Sequence, residues 1–159
     1  MSEKKFNNKR LPGILASPVV LIRLCSILFF LLMVGHMSAY PWASTHGVQE
    51  SQLVNSMESV EFNFFGEHST YWSLYFGWGL LVGVLLFTLA IILWFLSDLA
   101  RRAPRQLGVI TGVISASCLV GAYLSFRFFF IPPVVLFSAI CVILLTATVQ
   151  LLRQQLATD

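Results

Sequence analysis

The chain has 159 residues, of which 57% are hydrophobic and 11% charged, with 14 Phe and a formal net charge of +3. An ordinary soluble domain carries roughly 25% charged residues, and a chain this short has too much surface for its core to hide the surplus apolar area. That surplus, at a mean hydropathy of +0.81, must face lipid. The reading is an integral membrane protein; it excludes a disordered chain, a disulfide-stapled secreted domain and a nucleic-acid binder with a dense cationic face.

A hydrocarbon layer about 30 Å thick takes about 20 apolar helical residues to cross. Four runs reach that length, 19–39, 74–96, 107–126 and 133–152, and only the first contains a charge, Arg23. Strand alternation with short turns, the signature of a membrane barrel, is missing from the sequence. The expected fold is therefore all-α: a polytopic, antiparallel four-helix transmembrane bundle forming a single domain over 1–159. The first run is longer than a signal core, and Met37 and Pro41 break the small-x-small cleavage pattern, so it is expected to stay as a helix.

Orientation follows from the cations. Lys4, Lys5, Lys9, Arg10, Arg23, Arg101, Arg102, Arg105 and Arg153 share one side, and Arg127 stands on the other, where Glu50, Glu58, Glu61 and Glu67 also lie. An excess of Lys and Arg marks the cytoplasmic side. Both termini are accordingly expected in the cytoplasm. Cys25, Cys118 and Cys141 fall inside the spans with no Cys-x-x-Cys pair, so they read as small buried apolar residues and count against a thiol oxidoreductase.

The outer segment between the first two spans, 40–70, is longer than a connection needs, which marks a functional or structured loop. Within it, 51–60 has the spacing of a short interfacial helix, with Leu53, Val54, Met57 and Val60 on one side. Next comes Glu61-Phe62-Asn63-Phe64-Phe65-Gly66, whose aromatics suit the membrane interface or the helix tops, so the segment is read as a lid. The inner connection, Asp98–Gln106, is short and basic, with Pro104 interrupting any continuous helix. The outer connection Arg127–Pro132 is tight enough to make the last two spans a hairpin, with Pro132 and Pro133 setting its turn.

The second span opens on Thr70-Tyr71-Trp72-Ser73-Leu74-Tyr75-Phe76-Gly77-Trp78-Gly79. Tyr71, Tyr75 and Trp78 share a helix face, and Gly79 and Gly83 form a Gly-x-x-x-Gly pair that lets another helix approach. The third span has a ladder of small residues, Gly108, Gly112 and Ala116. Aromatics at such a level are ordinarily interfacial anchors; their other reading is ligand contact.

All three histidines, His36, His46 and His68, fall toward the outer side, and with Glu61, Glu67 and Arg127 they form the one convergent polar set. An ionisable residue inside a span marks a functional site by default, which makes His36 the sharpest candidate; its plainer reading is a neutral imidazole bonded to a neighbouring helix. The histidines with a glutamate would suit zinc or copper, but their spacing matches no ligand pattern, so neither metal nor cofactor is expected. Arg127, among Phe126 and Phe128 to Phe130, reads as a snorkelling interfacial cation, or as the partner of Glu61, Glu67 or an anionic head group. The mid-span polar residues are hydroxyls alone, Thr88, Thr111, Ser115, Ser117, Ser138, Thr146 and Thr148, which argues against a pore made by one chain. The sequence has no nucleophile elbow, phosphate loop or paired-carboxylate motif, and the catalytic residues stay unknown.

Gly35-His36 near the end of the first span, then Phe-x3-Gly-x3-Thr-Tyr-Trp-x2-Tyr-x-Gly-x-Gly over Phe62 to Gly79, resemble small uncharacterised bacterial inner-membrane proteins with four predicted transmembrane helices. The resemblance covers the first half of the chain and implies an inner-membrane location without an activity. The leading functional reading is a non-catalytic membrane protein that binds an apolar or lipid-like ligand, or a partner protein, at the outer mouth through His36, His46, Glu61, His68, Tyr71, Tyr75, Trp78 and Arg127. The alternatives are a membrane enzyme using His/Glu acid-base chemistry and a structural subunit of a larger complex. Expected partners are membrane lipids and a second copy or another membrane subunit, with no nucleic acid.

Overall fold

The computed structural model describes residues 17–39 and 47–156. In chain order the elements are α1 (Pro18–Ala39), α2 (Val48–Ser59), β1 (Glu61–Phe64), β2 (Glu67–Thr70), α3 (Tyr71–Leu96), a 3-10 turn (Ser97–Arg101), α4 (Pro104–Phe128) and α5 (Ile131–Leu156). Helices α1, α3, α4 and α5 are long and apolar enough to cross a membrane. The chain is a multi-pass integral membrane protein of the all-α class, with one two-stranded sheet among its described residues.

Each spanning helix buries one narrow stripe and leaves the rest to lipid. In α3 the buried positions are Gly79, Gly83, Leu86, Ala90 and Leu93, alternately four and three residues apart. In α5 they are Ile140, Leu144, Ala147, Thr148 and Leu151. A strict seam of this kind occupies two positions in seven, about 29% of a helix, and the four spans are 28–33% buried. Large residues such as Val84, Phe95, Val113 and Leu119 lie outside the stripes and are exposed, as a lipid-facing surface requires.

The described residues form two compact units, 17–25 with 93–156 and 26–39 with 47–92. In the first, α4 and α5 pack along their length. Gly108 lies against Leu152 and Leu151, Gly112 against Thr148, and Gly121 against the Phe137 ring. Hydroxyls join the pair as well: the Thr111 and Thr148 hydroxyls are 2.8 Å apart, and the Ser115 hydroxyl donates to the Cys141 carbonyl at 2.9 Å. Ala116, expected in the small-residue ladder, is exposed. A strict four-residue ladder drifts around the helix, whereas the seam follows a period of 3.5 through Thr111, Ser115, Cys118, Ala122 and Ser125.

Two further expectations change in this unit. The link between α4 and α5 is only Phe129 and Phe130, and Pro132 and Pro133 lie in the first turn of α5. Proline suits that place, because its ring presets a helical φ and its missing N–H is not needed in a first turn. Pro104 starts α4 for the same reason. Arg23, read as a basic flank, is a clamp: Nε donates to the Ser97 hydroxyl at 3.1 Å, Nη2 pairs with Asp98 at 2.9 Å, and the guanidinium stacks over Trp94. It ties the start of α1 to the end of α3. The Cys25 thiol points at the Ile140 carbonyl, 3.9 Å away.

In the second unit, α1 and α3 are joined by Ser26, whose hydroxyl donates to the Ala90 carbonyl at 2.6 Å, and by the Phe30–Phe87 ring pair. Helix α2 starts three residues earlier than expected and turns Ser51, Val54 and Met57 inward, leaving Leu53 and Val60 exposed. Its apolar residues lie on adjoining faces, the half-buried one having the i, i+3, i+6 spacing, and α2 contacts β2. The run expected as an aromatic loop is an antiparallel hairpin with Glu61 opposite Thr70 and Phe64 opposite Glu67.

The α4–α5 seam yields a comparison of steric and polar contacts. A Cβ at Gly121 would stand 3.1 Å from the Phe137 ring, so Gly121→Val is expected to cost about 1–3 kcal/mol through overpacking. Thr148→Val leaves the Thr111 hydroxyl bonded to the Leu107 carbonyl at 2.9 Å and is expected to cost about 0.6 kcal/mol, the mean for a hydrogen bond between membrane helices. Reversible unfolding in mixed micelles measures both, and equal costs would contradict this ranking.

Candidate functional site

The first turns of α3, with the hairpin that leads into them, collect most of the candidate residues. Thr70 caps the helix: its hydroxyl accepts from the Ser73 N–H at 3.1 Å, and the Ser73 hydroxyl accepts from the Thr70 N–H at 3.1 Å. This reciprocal pair is a capping box with serine in the third position. The Ser73 hydroxyl is also 2.8 Å from that of Ser69 on β2. Hairpin and helix are thus fastened together by hydroxyl contacts within five residues.

Along the same side of α3 runs an open groove of about 340 Å³ lined by Ser69, Ser73, Leu74, Gly77, Trp78 and Leu81. Its polar lip is the serine pair and its body is apolar. Gly77 keeps it open, since nothing stands within 4 Å of where its Cβ would be. Of the expected site residues, Trp78 lines this groove. The other lining residues escaped the sequence reading; the signal that could have found Ser73 is the Thr-x-x-Ser spacing at a helix start.

The remaining candidates divide. Tyr71 packs on Phe62 of β1, with ring centroids 5.0 Å apart, and Tyr75 packs on Trp72 at 6.0 Å. Glu61 and His68 stand on the hairpin, both exposed, with His68 opposite Asn63. Glu67 opens β2 beside the turn. Arg127 lies in the other compact unit, near the end of α4, with its guanidinium over the Phe128 ring. His46 lies outside the described residues.

His36 is engaged at the α1–α3 seam. Its Nε2–H donates to the Gly79 carbonyl at 2.8 Å, which requires the proton on that nitrogen. Gly79 and Gly83 are both buried, and Met37 fills the space beside Gly83. The Gly-x-x-x-Gly pair thus admits α1 closely enough for the imidazole to reach a helix carbonyl. That arrangement suits holding two helices together.

The hairpin turn carries local strain. Phe65 has φ +54° and Gly66 φ +91°, the positive pair that a type I′ turn demands and that Asn-Gly usually fills. The Asn63 side-chain oxygen accepts from the Gly66 N–H at 2.9 Å and steadies the turn. Phe65 is 95% exposed, its ring edge-on to Phe64. A bulky residue in the left-handed region is an outlier, and here little within the described chain covers it.

No protein-family model, curated protein or solved structure matches this chain. His36→Leu removes the bond to Gly79 and is expected to lower stability by about 0.6 kcal/mol with helix content unchanged, which unfolding in mixed micelles with circular dichroism measures. An unchanged stability would assign the imidazole a role other than joining the helices.

Proposed function

We propose that this protein is a non-catalytic, amphiphile-binding protein of the bacterial inner membrane, with both termini in the cytoplasm and the hairpin on the outer side. The cation distribution supports the orientation, and the resemblance through Gly35-His36 and the Phe62–Gly79 pattern supports the location. The observation that carries the binding function is the α3 groove, with its serine lip and its body of Leu74, Gly77, Trp78 and Leu81. A polar head bonds at the hydroxyl end while an apolar chain follows the helix toward the membrane interior. Such a gradient, apolar lining with a few placed polar groups, is what a small-ligand site requires. The Trp78 ring gives the site a rigid aromatic wall.

Gly77→Leu fills the groove, and its Cβ has open space, so the fold is expected to persist. A photoactivatable phospholipid analogue in native membranes should label α3 near Leu74–Leu81 in the unaltered chain, with labelling of that segment lost in Gly77→Leu. Equal labelling of all lipid-facing helices, insensitive to the substitution, would contradict a specific site.

A further inference from the structure

We infer that the hairpin is a second membrane contact: the face bearing Phe62 and Phe64, with Phe65 at the tip, lies in the head-group layer of the leaflet that meets the first turn of α3. The occupant of this surface is phospholipid, and the inference does not depend on what fills the α3 groove.

Strand alternation gives the hairpin two unlike faces. Phe62 and Phe64 share one face with Ser69 and Glu67, while Glu61, Asn63, His68 and Thr70 share the other. Two contacts fix which face turns toward the helix: Phe62 packs on Tyr71 at 5.0 Å, and the Ser69 hydroxyl is 2.8 Å from that of Ser73. Phe64 lies two residues farther along that same face and is 65% exposed, and Phe65 beyond it is 95% exposed. The polar face, with Glu61, Asn63 and His68 all exposed, is left to water.

Continuity with the bilayer supplies the occupant. Thr70 ends β2 and Tyr71 begins a membrane-spanning helix with no residue between. Tyr71 and Trp72 are the residue types that mark the interface. A strand of four residues reaches about 13 Å, against a head-group layer of about 5–8 Å on each side of the hydrocarbon. A hairpin standing upright would therefore carry its tip into water. Held against the start of α3 by the Phe62–Tyr71 and Ser69–Ser73 contacts, it keeps the Phe64–Phe65 pair at the depth of the lipid head groups, a layer polar enough for the exposed Glu67 carboxylate opposite Phe64. That contact gives the exposed ring in the strained turn a surrounding that the described chain does not provide.

The test places a spin label at position 65 through Phe65→Cys, with Asn63→Cys and His68→Cys as polar-face references, in a chain carrying Cys25→Ala, Cys118→Ala and Cys141→Ala. The protein is reconstituted in vesicles of phosphatidylethanolamine and phosphatidylglycerol. The expected result is a collision rate with oxygen, relative to a water-soluble nickel chelate, several-fold higher at 65 than at 63 and 68. Equal chelate access at all three positions overturns the inference. A second readout keeps the native cysteines and puts benzoylphenylalanine at position 65 in native membranes: lipid adducts support the inference, and adducts confined to another protein or a second copy overturn it.

Discussion

Lipid removes the force that usually holds helices together. A leucine gains nothing by leaving hydrocarbon for another helix, so association rests on close backbone approach, on hydrogen bonds and on shape. This constraint accounts for where the chain spends its few polar and small residues. Gly79 and Gly83 lie in the α3 stripe and Gly108 and Gly112 in or beside the α4 seam; bulky side chains such as Phe29, Leu93 and Leu144 fill the stripes, and many more, Val84, Phe95 and Leu119 among them, face outward. With about a third or less of each span buried, the protein is a set of narrow seams dressed in lipid-soluble side chains.

Polar cross-links then set the register of those seams. Ser26 to Ala90, His36 to Gly79, Thr111 to Thr148 and Ser115 to Cys141 each join two helices through a hydroxyl or imidazole. A backbone carbonyl in a helix still has a spare lone pair, so such bonds form without breaking the helix. Arg23 does the same at the membrane edge with a planar fork that reaches Ser97 and Asp98 while lying on Trp94, a combination lysine cannot reproduce. In this reading the ionisable residues of α1 are structural devices, which leaves the α3 groove and the hairpin as the places where the protein meets other molecules.

The four spans were legible because uncharged length is a strong and local signal, and each observed helix overlaps its expected run with a few residues added at the ends. Details that depend on helix phase were harder. Ala116 falls outside the seam because a 3.5 period and a four-residue step diverge within two turns, and Pro132 reads equally as a turn or a helix start until the link length is known. The hairpin was hidden by its turn: Phe65-Gly66 lacks the Asn-Gly signature, and four-residue strands give too short an alternation to stand out. The groove could not be read from sequence at all, since it arises where β2 is pinned beside α3, bringing Ser69 next to Ser73 and opening space over Gly77.

The proposed function requires that this groove hold one amphiphile. Native mass spectrometry of the protein released from mild detergent measures it directly, because bulk lipid strips away while a seated molecule stays. The expected result is a protein peak carrying a single retained amphiphile whose mass identifies its class. A bare chain, stable and fully folded under the same conditions, would contradict it.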